Sequence, residues 1–184
     1  CLTFRRSRPP AAAAELKALA PKIIFMASQE KNESILAADA PERKKPSVYP
    51  EPFASRMQSR IKRPLGDLFG LTNFGVNLTT IAPSGVSALR HAHSKQDEFV
   101  YVVSGIATLV TNNGTSLLKA GMCAGFKAGN GNAHQIRNDS GEPLVYLEIG
   151  DRSAGDQVTY PDDDIAGSLV NGAWEFTHKD GTPY

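Results

Sequence analysis

Three of the four histidines in this chain, His91, His93 and His134, stand close to an acidic residue, Glu98, in a stretch rich in short apolar runs. His91 and His93 are two residues apart, so on an extended strand their imidazoles project from one face. Glu98 opens the following run, EFVYVV, and an antiparallel return brings its carboxylate beside the two rings. His134 opens a later run, HQIRN, and can complete the set from across a barrel. Three imidazole nitrogens and one carboxylate oxygen form a donor set for one divalent ion among Fe, Mn, Zn, Ni and Cu. His178 lies in a polar C-terminal stretch and is not counted among the ligands.

For these side chains to meet, the chain must fold as strands. From residue 47 onward the strand candidates are GVNLTTIA, SALRHAH, EFVYVVSG, ATLVTN, SLLKAG, CAGFKAG, HQIRN and LVYLEIG, separated by Gly, Asn and Pro. Asn113-Gly114 is a hairpin signal, because both residues tolerate positive φ. Short strands at this spacing predict an all-β barrel or jelly roll, and the stretch lacks the helical segments that a parallel βαβ sheet requires. Alternation places Leu89 on the face of His91 and His93, with Arg90 and Ala92 opposite. Val100 and Val102 likewise share the inward face of Glu98, while Phe99, Tyr101 and Val103 face out. The metal would then sit in largely apolar surroundings, as a small-molecule pocket does. Tyr146 and Glu148 share one face of LVYLEIG, and Lys127 is a cation suited to an anionic substrate; these three are the candidate substrate-binding residues.

The flanks read differently. Residues 1–46 carry nine Lys/Arg against five Asp/Glu, whereas the rest of the chain carries eleven against fourteen. Residues 1–46 are expected to be a flexible or non-native tail. Its first 25 residues, Arg-rich and Ala-rich, have the composition of an organellar transit peptide, and Met26 is an alternative start. Residues 47–160 are expected to form the barrel, and 161–184 a C-terminal extension in which Trp174 and Phe176 pack back on the barrel or on a second subunit. Asp162-Asp163-Asp164 lacks the alternating oxygen ligands and glycine of a calcium loop and reads as a solvated turn. Cys123, in an apolar run, reads as a small buried hydrophobe. The mildly acidic body is a poor footprint for nucleic acid, and no apolar run approaches the roughly 20 residues of a membrane-spanning helix. A cytoplasmic location is therefore expected, or an organellar one if residues 1–25 are a transit peptide.

Two segments resemble the motifs of the cupin superfamily. Gly85, His91, His93, Glu98 and Gly105 meet every spacing of the family's first motif. Gly121, Gly129, His134 and Asn138 align with the second, with Lys127 where proline is usual and four residues, Asn130 to Ala133, where two usually separate glycine from histidine. The segments RHAHSKQDEFVYV and GMCAGFKAGNGNAH also resemble those of small bacterial cupins. The resemblance implies a double-stranded β-helix (jelly-roll) barrel with extended N- and C-terminal segments, one metal inside its mouth held by His91, His93, Glu98 and His134, and a homodimer. A site with four protein ligands on one side stays open, and an open metal polarises a bound oxygen, lowers the pKa of bound water or binds O2. The expected function is accordingly metal-dependent chemistry of oxygenase, isomerase or lyase type on a small molecule. The alternative is a metal-dependent binding or sensing module without turnover.

Overall fold

The computed structural model describes residues 34–45 and 47–184. The expected transit segment and most of the expected tail lie outside the described residues. Among the described residues, twelve strands and one short α-helix follow each other as β1 (Arg60–Pro64), α1 (Leu65–Leu68), β2 (Phe74–Ile81), β3 (Ala92–His93), β4 (Glu98–Ser104), β5 (Ile106–Thr111), β6 (Gly114–Lys119), β7 (Cys123–Phe126), β8 (His134–Arg137), β9 (Leu144–Asp151), β10 (Gln157–Thr159), β11 (Ala166–Val170) and β12 (Ala173–Thr177). The pairings are antiparallel throughout. One layer is a five-stranded sheet in the order β1-β2-β9-β4-β7. The other combines β12-β11-β10-β3 with β6-β5-β8, linked by the bridges Val86–Arg137 and His91–His134. This is a jelly roll. Among the described residues no helix is long and apolar enough to cross a membrane.

Between the layers, Ile81, Val100, Val102, Leu109, Ile136 and Leu144 pack into one buried cluster. A second cluster, built on Met57, Leu89, Val158 and Ile165, fills the other end beneath Trp174 and Phe176. Each such side chain removed from water contributes about 1.5–3 kcal/mol. The β4 alternation is as expected: Val100 and Val102 are buried, while Phe99, Tyr101 and Val103 are exposed.

Several expectations change. SALRHAH is not one strand; only Ala92–His93 pairs regularly, with β10, and the residues before it are held by isolated bridges to β8. Ala92 is buried rather than outward-facing, because β10 lies alongside it. Cys123 is exposed: it lies opposite Tyr101 on the sheet, and that face of β4 points outward. β1, β10, β11 and β12 are not among the expected strands. The β11–β12 hairpin closes on Asn171-Gly172, both at positive φ, so the strands continue past residue 160 into the layer that carries His93. Part of the expected tail is described, next to β1. Arg43 N–H donates to the Lys62 carbonyl, Arg63 reaches both Ala38 O and the Glu42 carboxylate, and Ala40 is buried, so residues 38–43 lie along β1.

Candidate metal centre

Backbone pairing sets the histidines. His91 N–H donates to His134 O at 3.0 Å and His134 N–H to His91 O at 2.8 Å, which places their rings 4.6 Å apart. The four-residue loop before His134 does not displace it, because the loop is tied to the β5–β6 turn. Asn132 Oδ1 accepts from Asn112 N–H, and Asn112 Nδ2 donates to Gly131 O. The Phe126 ring lies flat on His134 with centroids 3.6 Å apart. His93 follows His91 on the same side and is fixed by the pairing of β3 with β10. Glu98 starts β4 and faces the three rings.

All three Nε2 atoms point at one oxygen, Glu98 Oε2, at 3.4 Å from His91, 3.6 Å from His93 and 2.9 Å from His134. His91, Glu98 and His134 form the tightest group, with ligand atoms all within 4.8 Å of one another. His93 stands just outside that group, yet within reach of Glu98. The tautomers are legible from the opposite ring nitrogens. His91 Nδ1 lies 2.7 Å from Leu89 O, and His93 Nδ1 lies 2.5 Å from Asp156 Oδ2, so each donates a proton there and presents an Nε2 lone pair to the centre. Three Nε2 atoms and a carboxylate therefore converge on a point where Glu98 Oε2 is buried without a well-aligned donor. A divalent cation is the species that satisfies such a set, and the residues fit it.

The electrostatics agree. Burial alone would raise the Glu98 carboxyl, but the imidazoles of His134 and His91 outweigh it and hold the group well below the usual carboxylate range. Burial also opposes charging of His91, but contact with Glu98 reverses this and its pKa lies above the ordinary value. At His134 burial prevails over Glu98, and the pKa is lowered.

Asp156, which gives no signal in the sequence GDQV, is the principal residue missed around this centre. It is fully buried; one oxygen accepts from His93, and the other from Ser94 Oγ and Lys95 N–H. Such an outer carboxylate fixes the orientation of a ligand ring, and losing one costs roughly 10–100-fold in metal affinity. Asp156→Asn should weaken metal binding by about that factor in a chelator competition. Unchanged affinity would remove Asp156 from the site.

The centre opens into a cavity of about 210 Å³. Tyr146 and Glu148 line it, as their position on one face of β9 predicts; β9 is a central strand between β2 and β4. Glu148 is held by Lys62 Nζ at 2.5 Å and receives the Tyr146 hydroxyl at 3.3 Å. Lys127 is exposed and borders a small depression that His93, Glu98 and His134 also line. The cations that face the main cavity are Arg43, Arg60 and Lys62. In sequence Arg43 falls in the expected tail, whereas Arg60 and Lys62 fall in the expected barrel but in none of its strand candidates. On β1 the alternation is inverted, since Arg60 and Lys62 turn inward while Ile61 is exposed. His178 pairs with Asp164, Asp162 with Arg90 and Asp163 with Arg56, so each acidic residue of the turn has a partner.

Residues 77–150 match the family model of the Cupin domain. A sugar phosphate isomerase of the cupin superfamily from Silicibacter pomeroyi is 37% identical, with a TM-score of 0.77 over 82% of this chain and 96% of that one. A provisionally described sugar phosphate isomerase from Acidithiobacillus ferrooxidans is 35% identical, with a TM-score of 0.62 over 68% of this chain and 80% of that one. The polyketide cyclase of Streptomyces resistomycificus, at 18% identity and a TM-score of 0.52 over 65% of this chain and 78% of that one, shares the fold. No curated protein matches the chain by sequence. Both motifs, the jelly roll and these similarities lead to one assignment: the chain belongs to the cupin superfamily.

Proposed function

We propose that the protein is a metal-dependent isomerase of a small hydroxy-carbonyl compound, a sugar phosphate. The observation that carries this reading is the convergence of His91, His93 and His134 on Glu98 at the wall of a cavity that also holds a second carboxylate, Glu148. Similarity to the Silicibacter pomeroyi isomerase supports the choice of reaction among those open to such a centre.

A divalent ion bound by His91, His93, Glu98 and His134 supplies Lewis-acid polarisation of a carbonyl oxygen. The remaining work belongs to the chain. Isomerisation moves one proton from a carbon beside the carbonyl to the neighbouring carbon and shifts a hydroxyl proton in return, so it needs a base that gives back what it takes. Glu148 is placed for this. Its carboxylate faces the cavity and is held there by Lys62 and by the Tyr146 hydroxyl. Burial and the adjacent Glu148 push the Tyr146 phenol well above its usual range, so it stays protonated and remains a donor.

The test is an NMR time course with aldose and ketose phosphates. Interconversion is expected with the metal-loaded protein, is abolished by EDTA, and returns on adding back a divalent ion. A compound that binds with metal dependence and is recovered unchanged from every such incubation would replace this reading with that of a binding module.

A further inference from the structure

We infer that Arg43, Arg60 and Lys62 form the anion-binding end of the cavity and that the group they hold is a phosphoryl group, the metal ligands facing the other end of the same molecule. The inference rests on the isomerase reading for what that other end is. The cluster itself rests on geometry. Register on the sheet runs from Lys62 to Thr79 to Tyr146 to Val102, so β1 stands three strand spacings from β4, about 14 Å along the sheet. Lys62 and Arg60 project from β1 on its inward face, and Arg43 is brought alongside by its backbone bond to Lys62. Glu98 and the histidines occupy the far side of the same cavity.

Charge at this end is unbalanced in one direction. The cavity wall there carries three cations and one carboxylate, Glu148, which Lys62 engages at 2.5 Å. The cations also press on each other. Burial lowers the Arg43 and Lys62 pKa values; the charge on Arg60 adds to this, and Glu148 opposes it at both. Arg60 is nearly buried and is oriented by donating Nη1 to the Ser87 carbonyl, which fixes its guanidinium at the cavity wall. The same three side chains, together with Glu42 and Lys44, also border a second cavity of about 190 Å³. Clustered like charges of this kind favour an anion in a concave site, and two guanidinium forks with an ammonium match the three oxygens of a phosphoryl group better than the two of a carboxylate. An aromatic wall, Tyr49, Tyr160 and Trp174, then flanks the path between the anion end and the metal ligands.

Trp174 is the chain's single tryptophan and lines the cavity, so its fluorescence reports binding without turnover. The full chain, freed of metal with EDTA, is titrated with inorganic phosphate and separately with acetate, with calorimetry as a second readout. Saturable binding of phosphate, tighter than acetate, is expected. Arg43→Gln, at a half-buried position, should weaken it by about tenfold or more with near-UV circular dichroism unchanged. Arg60→Lys covers the case in which a larger change at this buried position prevents folding; it keeps the charge, loses the fork, and should weaken phosphate binding while leaving metal stoichiometry intact. The clamp is overturned by no saturable phosphate binding, by binding of equal strength in Arg43→Gln, or by binding that appears only with metal present, which would put the anion on the metal. Metal-dependent isomerisation with KM for the sugar phosphate unchanged by Arg43→Gln would remove the clamp and keep the isomerase. Phosphate binding lost in Arg43→Gln without turnover of any sugar phosphate would keep the clamp and remove the isomerase.

Discussion

Replacing His91 and His93 together by alanine is expected to abolish stoichiometric metal binding, read by elemental analysis after dialysis, while the β-rich far-UV circular dichroism persists. The loss should exceed the roughly 10–100-fold that follows removal of an outer-shell partner, because two of the imidazole donors disappear. The fold should survive for reasons visible in the pairing. The His91–His134 bridge and the β3–β10 pair are made by backbone atoms that alanine retains. Asp156 loses His93 but keeps Ser94 Oγ and the Lys95 N–H, so its buried carboxylate is not stranded. The double variant should also shed the attraction that holds the Glu98 carboxyl low, since His91 and His93 contribute to it alongside His134. Full metal occupancy in this variant would sink the assignment of the centre.

The centre was legible in the sequence to the extent that strands announce themselves by alternation. EFVYVV buries every second residue, so Glu98 and the two valines fell on one face from pattern alone, and His91 and His93 followed from their spacing. Where a residue acts through a tertiary contact, the pattern is silent. Asp156 is an acidic residue in a turn-like stretch until β10 is seen to pair with β3. β1 was missed because its inward positions are charged and its outward Ile61 is apolar, the reverse of the usual order for a sheet against a core. That inversion is informative, since strands point cations inward only where the interior is wet or holds an anion. The β11–β12 hairpin did carry a local signal, Asn171-Gly172 between LV and AW, equivalent to the one read at Asn113-Gly114. Tyr146 and Glu148 were placed on a common face but not at the sheet's centre, because neighbours across a sheet cannot be read from one strand.

Asn138→Ala should be strongly destabilising, although Asn138 lines neither the metal centre nor its cavity. The residue is fully buried, and its side chain joins three segments. Nδ2 donates to Ile81 O at 2.9 Å and to Glu142 O at 2.8 Å, while Oδ1 accepts from Ser140 N–H and Ser140 Oγ. Its backbone N–H donates to Gly85 O, and its carbonyl accepts from Ser84 N–H. Asn138 thus ties the chain entering the first histidine pair to the strand leaving His134. Gly85 is needed at that junction, because a Cβ there would stand 2.6 Å from Ile81 Cγ2 and 2.9 Å from Ala82 O. Alanine at 138 keeps the backbone bonds but leaves the buried Ile81 carbonyl without its side-chain donor and Glu142 O with Ser140 Oγ alone, at a total cost of about 3 kcal/mol. For a domain of this size that lowers the melting temperature by about 6–12 °C. Asn138→Asp should be worse, because it retains the acceptor for Ser140 while turning a carboxylate oxygen toward the carbonyls of Ile81 and Glu142. Thermal unfolding followed by circular dichroism distinguishes the cases. If both variants melt within about 2 °C of the parent, Asn138 is not the tie between the two motifs, and His134 must be positioned by its backbone pairing with His91 alone.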